Sequence, residues 1–168
     1  MEILRSLLFV PGNRADMLEK AGTVPADALV PDLEDSVPVA EKARAREVVQ
    51  KALPGLAKLG QRVFVRVNGL STGLAWDDLA AVVGSQVDGV SIGKVESSHD
   101  IFDLSAMLAQ LEKERGLPIG STNIIAWIES ANYTFEVRAV DNAGNVSNTA
   151  SLAFNYDISA PSSTVTTP

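Results

Sequence analysis

Charged and amide side chains gather where short apolar runs stop, which is where parallel α/β proteins keep their chemistry. Asn13 and Arg14 follow the run at residues 6–10. Asp32, Glu34 and Asp35 follow residues 28–30, and Arg66 and Asn68 close residues 62–67. Lys94 and Glu96 follow residues 89–92, and Glu129 ends residues 123–128. Carboxylates drawn from separate strands suit a hard divalent cation, which prefers oxygen ligands. An arginine among them suits a small oxyacid, because its planar fork meets a carboxylate through two hydrogen bonds.

Alternating elements must carry these residues. The runs at 6–10, 28–30, 62–67, 89–92 and 123–128 read as buried strands, apolar and rich in β-branched residues. Between them, residues 15–21, 39–53, 79–83 and 100–115 read as helices. Ile101, Leu104, Leu108 and Leu111 form the buried stripe of the last, and Gly116 and Pro118 end it. Strands and helices alternating at this spacing predict right-handed βαβ units and a parallel sheet.

Composition removes other chemistries. The 168 residues contain no cysteine, so disulfides, thiol nucleophiles and cysteine zinc sites are excluded, and the single histidine, His99, cannot build a multi-histidine centre. Fourteen basic against 21 acidic side chains give a formal charge of −7, against the basic stripe expected of a nucleic-acid binder. Apolar residues make up 46%, enough for a core, yet no run approaches the roughly 20 residues that span a bilayer. Neither nucleic acid nor membrane is an expected partner. The bulk reading is a soluble, acidic, cytoplasmic domain.

Composition shifts near residue 131, after which only Glu136, Arg138, Asp141 and Asp157 are charged. Tyr133, Phe135, Val137 and Ala139 alternate with polar residues, as do Leu152, Phe154 and Tyr156, around the turn cluster Asp141-Asn142-Ala143-Gly144-Asn145. This predicts a β-hairpin over 132–158, followed by a disordered linker over 159–168.

Five segments carry a family resemblance. They are Arg5-Ser6-Leu7-Leu8-Phe9-Val10-Pro11-Gly12-Asn13-Arg14, Pro31-Asp32-Leu33-Glu34-Asp35-Ser36-Val37, Val65-Arg66-Val67-Asn68-Gly69, Lys94-Val95-Glu96-Ser97 and Ile128-Glu129-Ser130-Ala131. In this order, across residues 3–131, they resemble the citrate lyase β-subunit family, which belongs with the HpcH/HpaI aldolases and malyl-CoA lyases. That family has proline before the lysine of the fourth segment, where Gly93 stands here. Residues 132–168 resemble instead the last hairpin of bacterial immunoglobulin-like or fibronectin type III-like repeats.

The resemblance implies a TIM-type (β/α) barrel, incomplete here at about five parallel strands over residues 1–131. It also implies Mg²⁺-dependent carbon–carbon cleavage of a short 3-hydroxyacyl thioester, carried on CoA or an acyl carrier, by a homo-oligomer, commonly a trimer. By the same resemblance Arg66 holds a substrate carboxylate, Arg14 the thioester's phosphates, and Glu129 the metal. Glu34 and Asp35 bond metal-bound waters, and Glu96 orients Arg66 or those waters. The second metal carboxylate of the family has no motif-matched position; Asp157 is the candidate stand-in. Each has a plainer reading: a strand-end salt bridge for Arg66, a solvated acid for Glu129, a helix-start acidic cluster for Glu34 and Asp35. On the lyase reading the chain is expected to be a truncated or chimeric product, weakly active or inactive alone; the competing reading of the whole chain is a cell-surface β-repeat binding or structural module fused to an inert α/β fragment.

Overall fold

A computed structural model describes residues 3–129 together with the backbone of residues 133–137 and 150–154. Five strands, β1 (Leu7–Pro11), β2 (Ala28–Asp32), β3 (Arg62–Val67), β4 (Gly89–Ile92) and β5 (Asn123–Ala126), form one sheet. Its order is β1-β2-β3-β4-β5 and every pairing is parallel. Helices α1 (Ala15–Ala21), α2 (Lys42–Leu56), α3 (Ala75–Val82) and α4 (Ser98–Glu114) make the crossovers. This is the strand–helix alternation of a TIM-type barrel, carried through five strands.

Side chains alternate across the strands, so the sheet has two faces. On one, Val10, Leu29, Val63, Val65, Val67, Val90 and Ile92 pack into a single core with Leu18, Val49, Leu53, Leu79, Val82, Leu104 and Leu108 of the helices. On the other, Ala28, Val30 and Phe64 form a smaller cluster with Leu4, Leu7 and Ile125. Period two then puts Phe9, Asp32, Arg66 and Ser91 on this second face, at or near the carboxyl ends of their strands.

Three helices differ from the expected bounds. Helix α2 runs over Lys42–Leu56 rather than 39–53, because Val39–Glu41 form a separate 3-10 turn. Helix α3 begins at Ala75, earlier than residue 79, because its buried stripe includes Asp78, a carboxylate that interrupts the apolar pattern. Helix α4 begins at Ser98, before the expected Asp100, because Ser97 and Asp100 form a reciprocal capping box. At Gly12 the chain needs glycine: its N–H donates to the Asp32 carbonyl at 2.8 Å, and a Cβ would lie 2.6 Å from that oxygen.

The chain divides into two compact units, Met1–Ile128 and Glu129–Pro168. In the second, strands β6 (Tyr133–Val137) and β7 (Ala150–Phe154) pair antiparallel, as expected of the hairpin. The expected linker and Asp157 lie outside the described residues. Among the described residues no helix is long and apolar enough to cross a membrane.

Candidate functional site

Strands β2 and β3 are registered so that Asp32 lies opposite Arg66. The guanidinium donates from Nε and Nη2 to the two Asp32 carboxylate oxygens, each at 2.7 Å. Asp32 also accepts the N–H groups of Glu34 at 2.7 Å and Ser36 at 3.1 Å, which folds the loop after β2 around its carboxylate. Burial alone would raise the Asp32 pKa. The bonds from Arg66, Ser36 and Glu34 outweigh it and hold the acid below the usual aspartate range. The pairing with Asp32 in turn raises Arg66.

The remaining guanidinium nitrogen, Nη1, lies 3.3 Å from Glu34 Oε2 and 3.5 Å from Asp35 Oδ2. The other oxygens of the same two carboxylates face Lys94 Nζ, at 2.8 Å for Glu34 Oε1 and 3.0 Å for Asp35 Oδ1. Hydrogen bonds to Glu34 and then Asp35 raise the Lys94 pKa, so it stays a cation at every physiological pH. Glu34 Oε2 is buried and accepts no hydrogen bond. The Phe9 ring stacks against the guanidinium, with its centroid 5.0 Å from the guanidinium carbon. Phe9 also packs against Trp127 at 5.7 Å between centroids, and Trp127 Nε1 donates to Ser91 Oγ at 2.6 Å.

A buried polar brace stands behind this loop. Lys42, the first residue of α2, spends its three ammonium protons on the carbonyls of Leu33 and Glu34 at 2.7 Å and on Asn68 Oδ1 at 2.8 Å. Asn68 donates onward to Leu33 and to Asp78, which Arg46 also binds. Burial lowers the Lys42 pKa, opposed by the nearby carboxylates Asp78, Asp32, Glu34 and Asp35.

The structure thus brings together three of the residues expected from sequence, Arg66, Glu34 and Asp35. The Nε–Nη2 edge of Arg66 is taken by Asp32, so the edge it presents to a ligand is the one that carries Nη1. Asp32 is the side chain that orients Arg66, while Glu96 is exposed and its N–H donates to Asp100 at 2.8 Å. Arg14 forms a two-bond pair with Asp16 at 3.0 Å, both exposed, rather than joining the cluster. Glu129 is exposed and opens the second unit. Among the described residues no three Asp, Glu, His or Cys side chains cluster in a way that could hold a metal ion by themselves.

Sequence reasoning did not assign roles to Asp32, Lys42, Lys94 or Phe9. Asp32 was countable: it stands four residues into β2, as Arg66 does into β3, and parallel register sets them side by side.

A parallel strand–helix sheet with an arginine–carboxylate cluster at its carboxyl ends defines an α/β-barrel class of enzyme-like chain. Residues 5–153 match the HpcH/HpaI aldolase/citrate lyase family, and the chain belongs to that family. The match runs on past residue 131, where the resemblance read from the sequence stops. It is 37% identical over 141 residues to citrate lyase subunit beta of Leuconostoc mesenteroides subsp. cremoris, covering 84% of this chain and 47% of that protein. It is 45% identical over 98 residues to a (3S)-malyl-CoA thioesterase of Cereibacter sphaeroides, covering 58% of this chain and 34% of that one. The chain therefore spans under half the length of these curated relatives. Among solved structures, the citrate lyase beta subunit of M. tuberculosis, complexed with oxaloacetate and magnesium, aligns at 28% identity with a TM-score of 0.55, over 74% of this chain and 47% of that one. Haloferax volcanii malate synthase shares the fold, with a TM-score of 0.69 at 18% identity over 77% of this chain and 44% of that one. Nothing in these comparisons supports the β-repeat reading of the whole chain.

Proposed function

We propose that this chain carries the oxyacid-binding part of a Mg²⁺-dependent carbon–carbon lyase acting on a short 3-hydroxyacyl thioester. The observation that carries the reading is the Arg66–Asp32 pair. It fixes a guanidinium at the strand ends with its Nη1 edge unclaimed by any short hydrogen bond. Such a fixed donor meets a substrate carboxylate with little reorganisation. The aromatic pair Phe9 and Trp127 supplies a partly apolar wall beside it.

The donor set fits a hard cation. Glu34 keeps a buried carboxylate oxygen with no hydrogen-bond donor, and Mg²⁺ binds through few carboxylates while retaining its waters. In this reading Glu129 is the direct ligand, and Glu34 and Asp35 bond the waters. Asp157 is the candidate second ligand. A bound Mg²⁺ supplies electrostatic stabilisation of the oxygen that gains negative charge as the C–C bond breaks. Arg66 holds the carboxylate of the keto-acid part, and Arg14 is available to phosphates of a CoA or acyl-carrier thioester. The M. tuberculosis relative's complex with oxaloacetate and magnesium supports the choice of ligand class. A cytoplasmic homo-oligomer, trimeric by family resemblance, is part of the same proposal.

Calorimetric titration with pyruvate in the presence of Mg²⁺ tests it. Wild type is expected to bind, and Arg66→Met to lose at least about tenfold in affinity, the value of one charge-assisted hydrogen bond. Equal binding by the two proteins would overturn the reading.

A further inference from the structure

Lys94 is the one non-glycine residue with positive φ among the described residues, at 56°. L-residues enter this left-handed region at a cost, because Cβ crowds the following carbonyl. Such outliers persist where the surroundings hold them, often at working sites. Here the turn comes directly after β4 and Gly93, and its effect is on the side chain. It sends the Lys94 ammonium to Glu34 Oε1 at 2.8 Å and Asp35 Oδ1 at 3.0 Å.

The same two carboxylates reach Arg66 Nη1 only at 3.3 Å and 3.5 Å through their second oxygens. Each acid therefore lies between two cations and sits closer to the lysine. Asp32 already occupies the other edge of Arg66. Nη1 is thus the edge a ligand must use, and two acids stand ready to take it.

We propose that Lys94 is a positioning residue for anion binding: it draws Glu34 and Asp35 toward itself and so keeps the Nη1 edge of Arg66 open to a carboxylate ligand. Without the ammonium, three carboxylates face one guanidinium. Glu34 and Asp35 then close on Nη1, since the other ammonium near them, Lys42, has already spent its three protons. The incoming anion meets an occupied donor and one more uncompensated negative charge. The strained backbone and the clamp form one device, since the left-handed turn carries the ammonium to the acids. The proposal rests on the oxyacid reading of Arg66, and its test separates the two.

Three variants of the 168-residue chain decide it. In a crystal structure of Lys94→Gln, Glu34 Oε2 and Asp35 Oδ2 are expected to move to hydrogen-bond distance, about 3.0 Å or less, from Arg66 Nη1. Pyruvate affinity is expected to fall about tenfold in Lys94→Gln and to return in Lys94→Arg, which keeps the charge. Lys94→Gly is expected to lose the same affinity yet melt roughly 2–4 °C above Lys94→Gln, because glycine takes the left-handed turn without strain. A lysine with only a structural role gives neither the rescue nor this opposition of affinity and stability. Unchanged carboxylate positions in Lys94→Gln, or unchanged pyruvate affinity, overturns the clamp. If wild type itself binds no pyruvate, the oxyacid reading falls, and the crystal structure and the glycine variant still decide whether Lys94 holds the acids off Arg66.

Discussion

Asp32 ties the site to the fold, since one carboxylate fastens Arg66 and shapes the loop that carries Glu34 and Asp35. It is nearly inaccessible, at 1% exposure. Breaking such a pair leaves a guanidinium with half its bonds in a partly dry site, so Asp32→Asn is expected to cost about 2–4 kcal/mol at neutral pH. The pH dependence has a definite sign. Because the folded state holds Asp32 below its ordinary pKa, its contribution is fully present above about pH 4 and is lost as the pH falls through the folded value. The stability gap between wild type and Asp32→Asn, read by urea unfolding, is therefore expected to narrow as the pH falls below about 4. A gap that stays constant would show that the pair is not ionic. Arg66→Lys separates charge from shape: one ammonium cannot bond both Asp32 oxygens in plane and still offer a second edge. It is expected to lose pyruvate affinity nearly as fully as Arg66→Met in the same titration.

At the scale of elements, the strands were the legible part, because an apolar β-branched run has one good solution between helices. Residues 62–67 and 89–92 carry the bounds read from sequence, and helix 15–21 does too. What escaped is polar and buried. Asp78 hid the first turn of α3, because a carboxylate on the core face looks like solvent until Asn68 and Arg46 are seen to satisfy it. Lys42 reads as a solvated helix-start lysine, and only the folded loop shows two carbonyls converging on it. The left-handed turn at Lys94 had no sequence sign, since the neighbouring Gly93 was the natural residue to assign it. Two element-level outcomes follow from this packing. Gly12→Ala forces a Cβ against the Asp32 carbonyl and Val49, and is expected to cost about 1–3 kcal/mol in urea unfolding. Lys42→Met removes three buried hydrogen bonds and leaves the Asn68 amide oxygen unpaired, while the Leu33 and Glu34 carbonyls keep the N–H groups of Asn68 and Val37, at a cost of about 1–3 kcal/mol. Loss of Mg²⁺-dependent pyruvate binding in a still-folded Lys42→Met protein would tie the brace to the site.

At the scale of the whole molecule, five parallel strands leave β1 and β5 as the edges of the described sheet. A closed barrel of this type uses eight strands and roughly 250 residues. The sheet's second face holds only a small apolar cluster, and Phe9 on it is 38% exposed. Open edges and a thinly covered inner face favour association, so light scattering of the purified 168-residue chain is expected to show concentration-dependent self-association. Catalysis should be more sensitive still. Among the described residues no acid cluster holds a metal alone, and in the proposed reading Arg66, Glu34 and Asp35 bind and orient, which leaves proton transfer to another group. Lack of that proton-transfer group is worth on the order of 10²–10⁴ in rate. Assayed with Mg²⁺ and citramalyl-, malyl- or citryl-CoA, the chain alone is expected to turn over at least about 100-fold more slowly than a full-length citrate lyase β subunit. Binding of pyruvate without turnover would match a site that can hold its oxyacid but lacks its proton-transfer partner. Turnover at the rate of the full-length relative, lost in Glu129→Ala and again in Asp157→Ala, would overturn this prediction and make Asp157 the second metal ligand.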